Sequence, residues 1–180
     1  MSIDIEVMKA IFEKQKEYHK YIREHQSNVL KCYTKLMQYK SPVIHKLFID
    51  DDTLIEDVCS RCMKHDKSKL SYDEFEPYRK RFYPINEEER ENSKEAFEKA
   101  CNLHYRKNDH HWQHRVDTDT LNKPACIENI IDWMAMGITH GNTAYEYYNK
   151  NKDTIQLNEK ERQYMESILN AMEEEDRDNR

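Results

Sequence analysis

Only two glycines, Gly137 and Gly141, occur in the 180 residues, and this scarcity limits the backbone shapes the chain can take. Walker-type phosphate loops and dinucleotide fingerprints need several glycines within about ten residues, where the backbone turns sharply against its ligand. Here two stand alone, four positions apart. Tight β-hairpins lean on Asn-Gly and Asp-Gly pairs, and neither pair occurs. An all-β barrel or sandwich is therefore not expected. The remaining expectation is an all-α chain in which any phosphate is gripped by side chains or by metal.

The chain length suits one domain, residues 1–180, built as a bundle of about six or seven helices around a single core. Hydrophobic residues make up 37% and charged residues 36%, with a formal net charge of −6. No apolar run approaches the roughly 18 residues of a membrane span, and Met1-Ser2-Ile3-Asp4 does not read as the start of a signal peptide. Cys32, Cys59, Cys62, Cys101 and Cys126 make an odd set of five. Without a secretion signal they fit a reduced cytoplasm better than a disulfide framework. The acidic balance argues against sequence-independent nucleic-acid binding, which is mainly phosphate neutralisation by Lys and Arg.

Helical spacing of Tyr18, Ile22, Val29, Tyr33 and Leu36 predicts a long helix over Asp4–Tyr39, ended by Ser41-Pro42. A second is expected over Thr53–Lys64. Ser71-x-x-Glu74 reads as a capping box opening a short helix that stops near Pro84. Asn86 with Glu89 opens a long helix to about His104, and Lys107–Lys123 reads as a loop. Pro124 suits the first turn of a helix that Gly137 would stop. Two more helices are expected over Asn142–Asn151 and Asn158–Glu175, the latter opened by Asn158-x-x-Glu161, with a frayed charged tail from about 173 to 180.

The chemistry lies in where imidazoles and carboxylates fall on these helices. His25 sits between Ile22 and Val29 on an apolar stripe. His65-Asp66 continues the stripe of Ile55, Val58, Cys59 and Cys62. His104 follows Phe97, Ala100 and Cys101 at the same spacing. Asp132 is embedded in Ile130-Ile131-Asp132-Trp133-Met134, where a lone carboxylate would be costly. A single histidine on an apolar face is usually a core residue. Several such groups on separate helices, joined by His110-His111 in the unperiodic segment, point instead to a shared cation. His114 reads as solvated, and Cys59-x-x-Cys62 as ordinary core cysteines, since no second pair stands at zinc-ribbon spacing.

The order His25, His65-Asp66, Asp132 resembles the H…HD…D pattern of the HD-domain metal-dependent phosphohydrolases, an all-helical superfamily. Lys69, three residues after the aspartate, is similar to the lysine of the HDxGK segment in HD-GYP-type phosphodiesterases. Position 68 is Ser where those enzymes carry Gly, and the GYP signature is absent, so their cyclic dinucleotide substrate is not implied. The strings His65–Tyr78, Asn108–Trp112 and Asp132–Met136 are similar to a family of small uncharacterised bacterial and bacteriophage proteins, over about His25–Asn149. That likeness transfers no activity.

The HD resemblance implies one divalent ion held by His25, His65, Asp66 and Asp132, with Asp66 bridging to a second held by His104, His110 and His111. Mixed imidazole and carboxylate ligands suit Mn, Fe, Co, Ni or Zn. Metal-acidified water would then attack phosphorus, with Asp66 and Lys69 as the catalytic pair. Arg79 and Arg81, in the basic run Arg79-Lys80-Arg81, join Lys69 as candidates for holding a small nucleotide-type phosphate. Two other functions share these residues. One is a non-catalytic, metal-stabilised module that binds a nucleotide or a protein. The other is a di-iron oxygenase on the HD scaffold. The tyrosine-rich segment Tyr145–Tyr148 reads first as core, with a pocket lining or a homodimer face as its other uses.

Overall fold

The computed structural model describes residues 5–49 and 52–179. The fold is all-α, with no strand among the described residues. The helices are α1 (Ile5–Leu36), α2 (Pro42–Ile49), α3 (Asp52–Lys64), α4 (Tyr72–Phe82), α5 (Glu87–Asn92), α6 (Lys94–Lys107), α7 (Trp112–Arg115), α8 (Lys123–His140), α9 (Ala144–Asn151) and α10 (Glu159–Asp178). A 3-10 turn, Lys67–Leu70, lies between α3 and α4. The expected helix start at Asp4, the Met1–Asp4 reading and Arg180 lie outside the described residues. No described helix is long and apolar enough to cross a membrane.

The chain forms two compact units. Unit 1 takes residues 1–24 and 66–108; unit 2 takes 25–65 and 109–180. Unit 1 has a small aromatic core in which Tyr18, Ile22, Tyr78 and Ala100 are buried and Phe75, Tyr83 and Phe97 pack against them. Offset and edge-on ring contacts add to plain area burial; Tyr18 lies 5.0 Å from Phe75, and Tyr78 meets Phe97 edge-on at 5.1 Å. Unit 2 has the larger core, organised on α8, where residues 125–131 are buried without a break. A helix buried all round is a central helix, and α3, α9 and α10 pack on α8.

Several local expectations change. Pro42 does not merely end α1. It begins α2, where its missing N–H costs nothing in a first turn. The long helix expected from Asn86 breaks at Ser93, whose hydroxyl donates to the Arg90 carbonyl (2.7 Å) and competes with the helix ladder. The Asn86 and Asn158 caps form as read, accepting from Glu89 and Glu161. Part of the expected loop is α7. The tail does not fray at 173, because α10 runs to Asp178. Glu175 accepts from the Lys40 and Ser41 amides (2.9 and 2.8 Å), and Asp176 accepts from the Tyr39 hydroxyl (2.9 Å) and pairs with Lys35 (3.1 Å).

The two glycines exchange roles. Gly137 is not the stop of α8; it is buried inside the helix, and a Cβ there would overlap the backbone oxygen of Asn142. Gly141, at φ 73°, ends the helix in the left-handed conformation. Gly137→Ala should cost about 1–3 kcal/mol through overpacking, and Gly141→Ala about 1–2 kcal/mol through backbone strain alone. Urea unfolding midpoints check both, and an unchanged midpoint for Gly137→Ala would show that the α8–Asn142 approach is not tight.

Candidate metal centre

In unit 2, α8 presents Glu128 and Asp132 one turn apart on the same face, since residues four apart share a helix side. His25 comes from α1 and His65 from the residue just past α3. His25 is 6% exposed and His65 1%. His25 Nε2 lies 3.2 Å from His65 Nε2 and 3.1 Å from Asp132 Oδ1, and His65 Nε2 lies 3.5 Å from the same oxygen. The three offer ligand atoms within 4.8 Å of one another. The sequence-predicted trio His25, His65 and Asp132 is thus brought together.

Glu128 was not among the residues singled out from the sequence. Its Oε1 lies 2.9 Å from His65 Nδ1 and 3.4 Å from His110 Nδ1, while Oε2 accepts from Arg61 Nε at 2.8 Å. The signal was present: Glu128 interrupts the apolar run Ala125–Ile131 just as Asp132 interrupts its own surroundings. Arg61 also pairs with Asp109. Burial works against the Arg61 charge, and the bonds to Asp109 and Glu128 outweigh it.

The segment carrying His110 and His111 is held by side chains. Buried Arg115 donates to the carbonyls of Asp109 and His110 and to Glu161 Oε1 (2.8 Å). Asn122 donates to Asp109 Oδ2 at 3.2 Å. His110 is buried with its ring 4.5 Å from that of His65, and the ring of half-buried His111 lies tilted against it at 4.1 Å. His114 is exposed, as read from the sequence.

Asp66 and His104 belong to unit 1 and meet there. Asp66 has φ 55°, a left-handed conformation that Asp tolerates better than most residues. His104 Nε2 lies 3.1 Å from Asp66 Oδ1, and its Nδ1 lies 2.8 Å from Glu74 Oε2. Lys69 pairs with Asp66 Oδ2 at 2.5 Å and sits over the Tyr78 ring. Glu74 does not complete a capping box with Ser71. Fully buried, it accepts instead from Ser68 (2.8 Å) and faces His104. Arg79 is not available for phosphate: it is 1% exposed, and its guanidinium is occupied by Glu76 (2.9 Å) and Glu89 (2.7 Å). Arg81 lies half-buried over the Phe97 ring.

The donor set could hold a metal ion. An ionised carboxylate only accepts, so Glu128 beside Nδ1 of a neutral His65 makes Nδ1 the protonated nitrogen. The Nε2 lone pair then faces Asp132, another acceptor, and a cation or a proton must sit among them. Burial raises the affinity of Asp132 for its proton, but His25 and His65, in the form that carries a proton on Nε2, outweigh this and hold its carboxyl well below the usual range.

A model described as "Family of unknown function (DUF5662)" matches residues 14–171. The chain belongs to this family. The matched stretch includes every residue of both clusters. No curated protein and no solved structure matches the chain.

Two outcomes follow from these environments. Asp132, with a depressed folded-state pKa, contributes stability that is present above its unfolded value near 3.9 and lost as pH falls through the folded one, about 1.4 kcal/mol per pKa unit. Metal-free Asp132→Asn should therefore melt earlier at pH 7 and show a shallower fall of Tm with acid; parallel acid profiles would contradict the ion-pair account. The cysteines are free, and burial pushes Cys62 and Cys126 up to about 12. Both should resist iodoacetamide at pH 8 until the chain is unfolded in urea, as read by peptide mass mapping. Rapid labelling of native Cys62 would reopen a redox or zinc role for Cys59-x-x-Cys62.

Proposed function

We propose that the protein is a metal-dependent phosphohydrolase acting on a small nucleotide-type phosphate ester. The observation that carries the reading is the convergence of His25 Nε2, His65 Nε2 and Asp132 Oδ1 within 4.8 Å of one another, both histidines being buried. Three such ligands leave a coordination position for water or substrate, as in catalytic rather than closed structural sites. Bound there, a divalent metal of the Mn-to-Zn series supplies Lewis-acid polarisation of a phosphoryl oxygen and a nucleophile at neutral pH. His25, His65 and Asp132 hold the ion, and Glu128 holds the proton on His65 Nδ1. The five free thiols support a cytoplasmic setting.

The low exposure of His25 and His65 favours one other reading, a metal that stabilises a nucleotide- or protein-binding module without turnover. Metal content of freshly purified protein, with phosphate release from mono- and triphosphates and from cyclic and linear dinucleotides, separates the two. Near-stoichiometric metal and hydrolysis that chelation abolishes and metal restores are expected. His25→Gln with Asp132→Asn should remove both metal and turnover while circular dichroism stays helical. Stoichiometric metal without turnover would leave the binding module, and no metal would overturn both.

A further inference from the structure

Glu128 touches the centre without belonging to its three converging ligands, although with His65 and His110 it forms a second group of possible ligands. Its Oε1 faces His65 Nδ1 at 2.9 Å, and Arg61 Nε donates to Oε2 at 2.8 Å. A guanidinium on the second oxygen makes the Glu128 side a poor place for another cation, because like charges repel in a buried setting. It suits a carboxylate whose task is to orient an imidazole. Which nitrogen of a histidine carries the proton is set by the hydrogen bond the other makes. With Nδ1–H given to Glu128, the Nε2 lone pair is directed at His25 Nε2 (3.2 Å) and Asp132 Oδ1 (3.5 Å).

We propose that Glu128 is a positioning residue that fixes His65 as the Nδ1–H tautomer and so aims its Nε2 at the cation position between His25 and Asp132. Arg61 completes the device by fixing which way Glu128 turns, and its own orientation is set by Asp109. Unit 1 carries the same arrangement: Glu74 faces His104 Nδ1 (2.8 Å), and His104 Nε2 faces Asp66 Oδ1 (3.1 Å). The link to metal rests on the proposed centre; the tautomer does not.

The near-isosteric Glu128→Gln is the telling variant. Arg61 Nε, a charged donor, draws the amide oxygen, so the amide N–H group faces His65 Nδ1 and demands a lone pair there. The proton must then move to Nε2, which blocks the ligand position without emptying the site. Nitrogen-15 chemical shifts of His65 in metal-free protein at pH 8 read the tautomer, and Zn2+ titration by calorimetry reads the affinity. Wild type should be Nδ1–H. Glu128→Gln should be Nε2–H, with Zn2+ affinity lower by about 10–100-fold, the usual effect of losing a ligand-orienting partner. A wild-type Nε2–H tautomer would overturn the proposal whether or not the variant folds. So would a Glu128→Gln protein that binds Zn2+ as tightly as wild type. A wild-type protein that binds no Zn2+ but shows Nδ1–H would overturn the metal reading and uphold the assignment to Glu128.

Discussion

A carboxylate on a helix buried all round is the constraint from which the organisation of unit 2 follows. Asp132 stands on α8 among Ile130, Ile131 and Trp133, where an isolated charge would be far more costly than any single packing contact is favourable. Two imidazoles answer it, and their arrival fixes α1 and the end of α3 against α8 at hydrogen-bond precision. Those imidazoles create a second demand, since each has another nitrogen to satisfy. Glu128 meets it for His65, Arg61 meets the charge of Glu128, and Asp109 meets that of Arg61. The chain of partners extends until it reaches groups in contact with water.

The same logic explains how a glycine-poor chain builds an irregular segment near a centre. The stretch at Asp109–His111 has no glycine to let its backbone approach a ligand. Side chains hold it instead: Arg115 gathers two of its carbonyls and is itself neutralised by Glu161 from α10. With its amide oriented to satisfy both neighbours, Asn129 adds a donor to the His110 carbonyl and accepts from the Trp133 indole. Breaking a buried ion pair of this kind by removing one partner typically costs about 3–5 kcal/mol, so Arg115 is a strong anchor for the histidine segment.

Much of this could be read from residue order. Amphipathic spacing located α1 and α3, an asparagine cap marked the start of α10, and His25, His65 and Asp132 were visible because polar groups are conspicuous in apolar surroundings. Glu128 escaped although it breaks an apolar run just as Asp132 does; its partners, His65 and Arg61, are more than sixty positions away and carry no local pattern. Glu74 matched a capping box by spacing, but a buried histidine outcompeted the backbone N–H for its carboxylate. Arg79 looked like a phosphate ligand within a basic run. Pairing with Glu89, ten residues on, used the same fork geometry on a carboxylate. Gly137 resembled a helix stop since spacing cannot tell a glycine that turns the chain from one that lets another backbone come close.

The order in which residues 25–65, 66–108 and 109–180 leave and re-enter unit 2 matters during synthesis. Once Asn108 has cleared the ribosome, unit 1 has every segment it uses. Unit 2 at that moment has only α1's second half, α2 and α3, and their apolar stripes lack the helix they pack around. Domains tend to fold as their sequence emerges, at about 5–20 residues per second. The half that carries His25, His65 and Asp132 is therefore the last to assemble, and for several seconds its future core faces solvent, where chaperones would meet it.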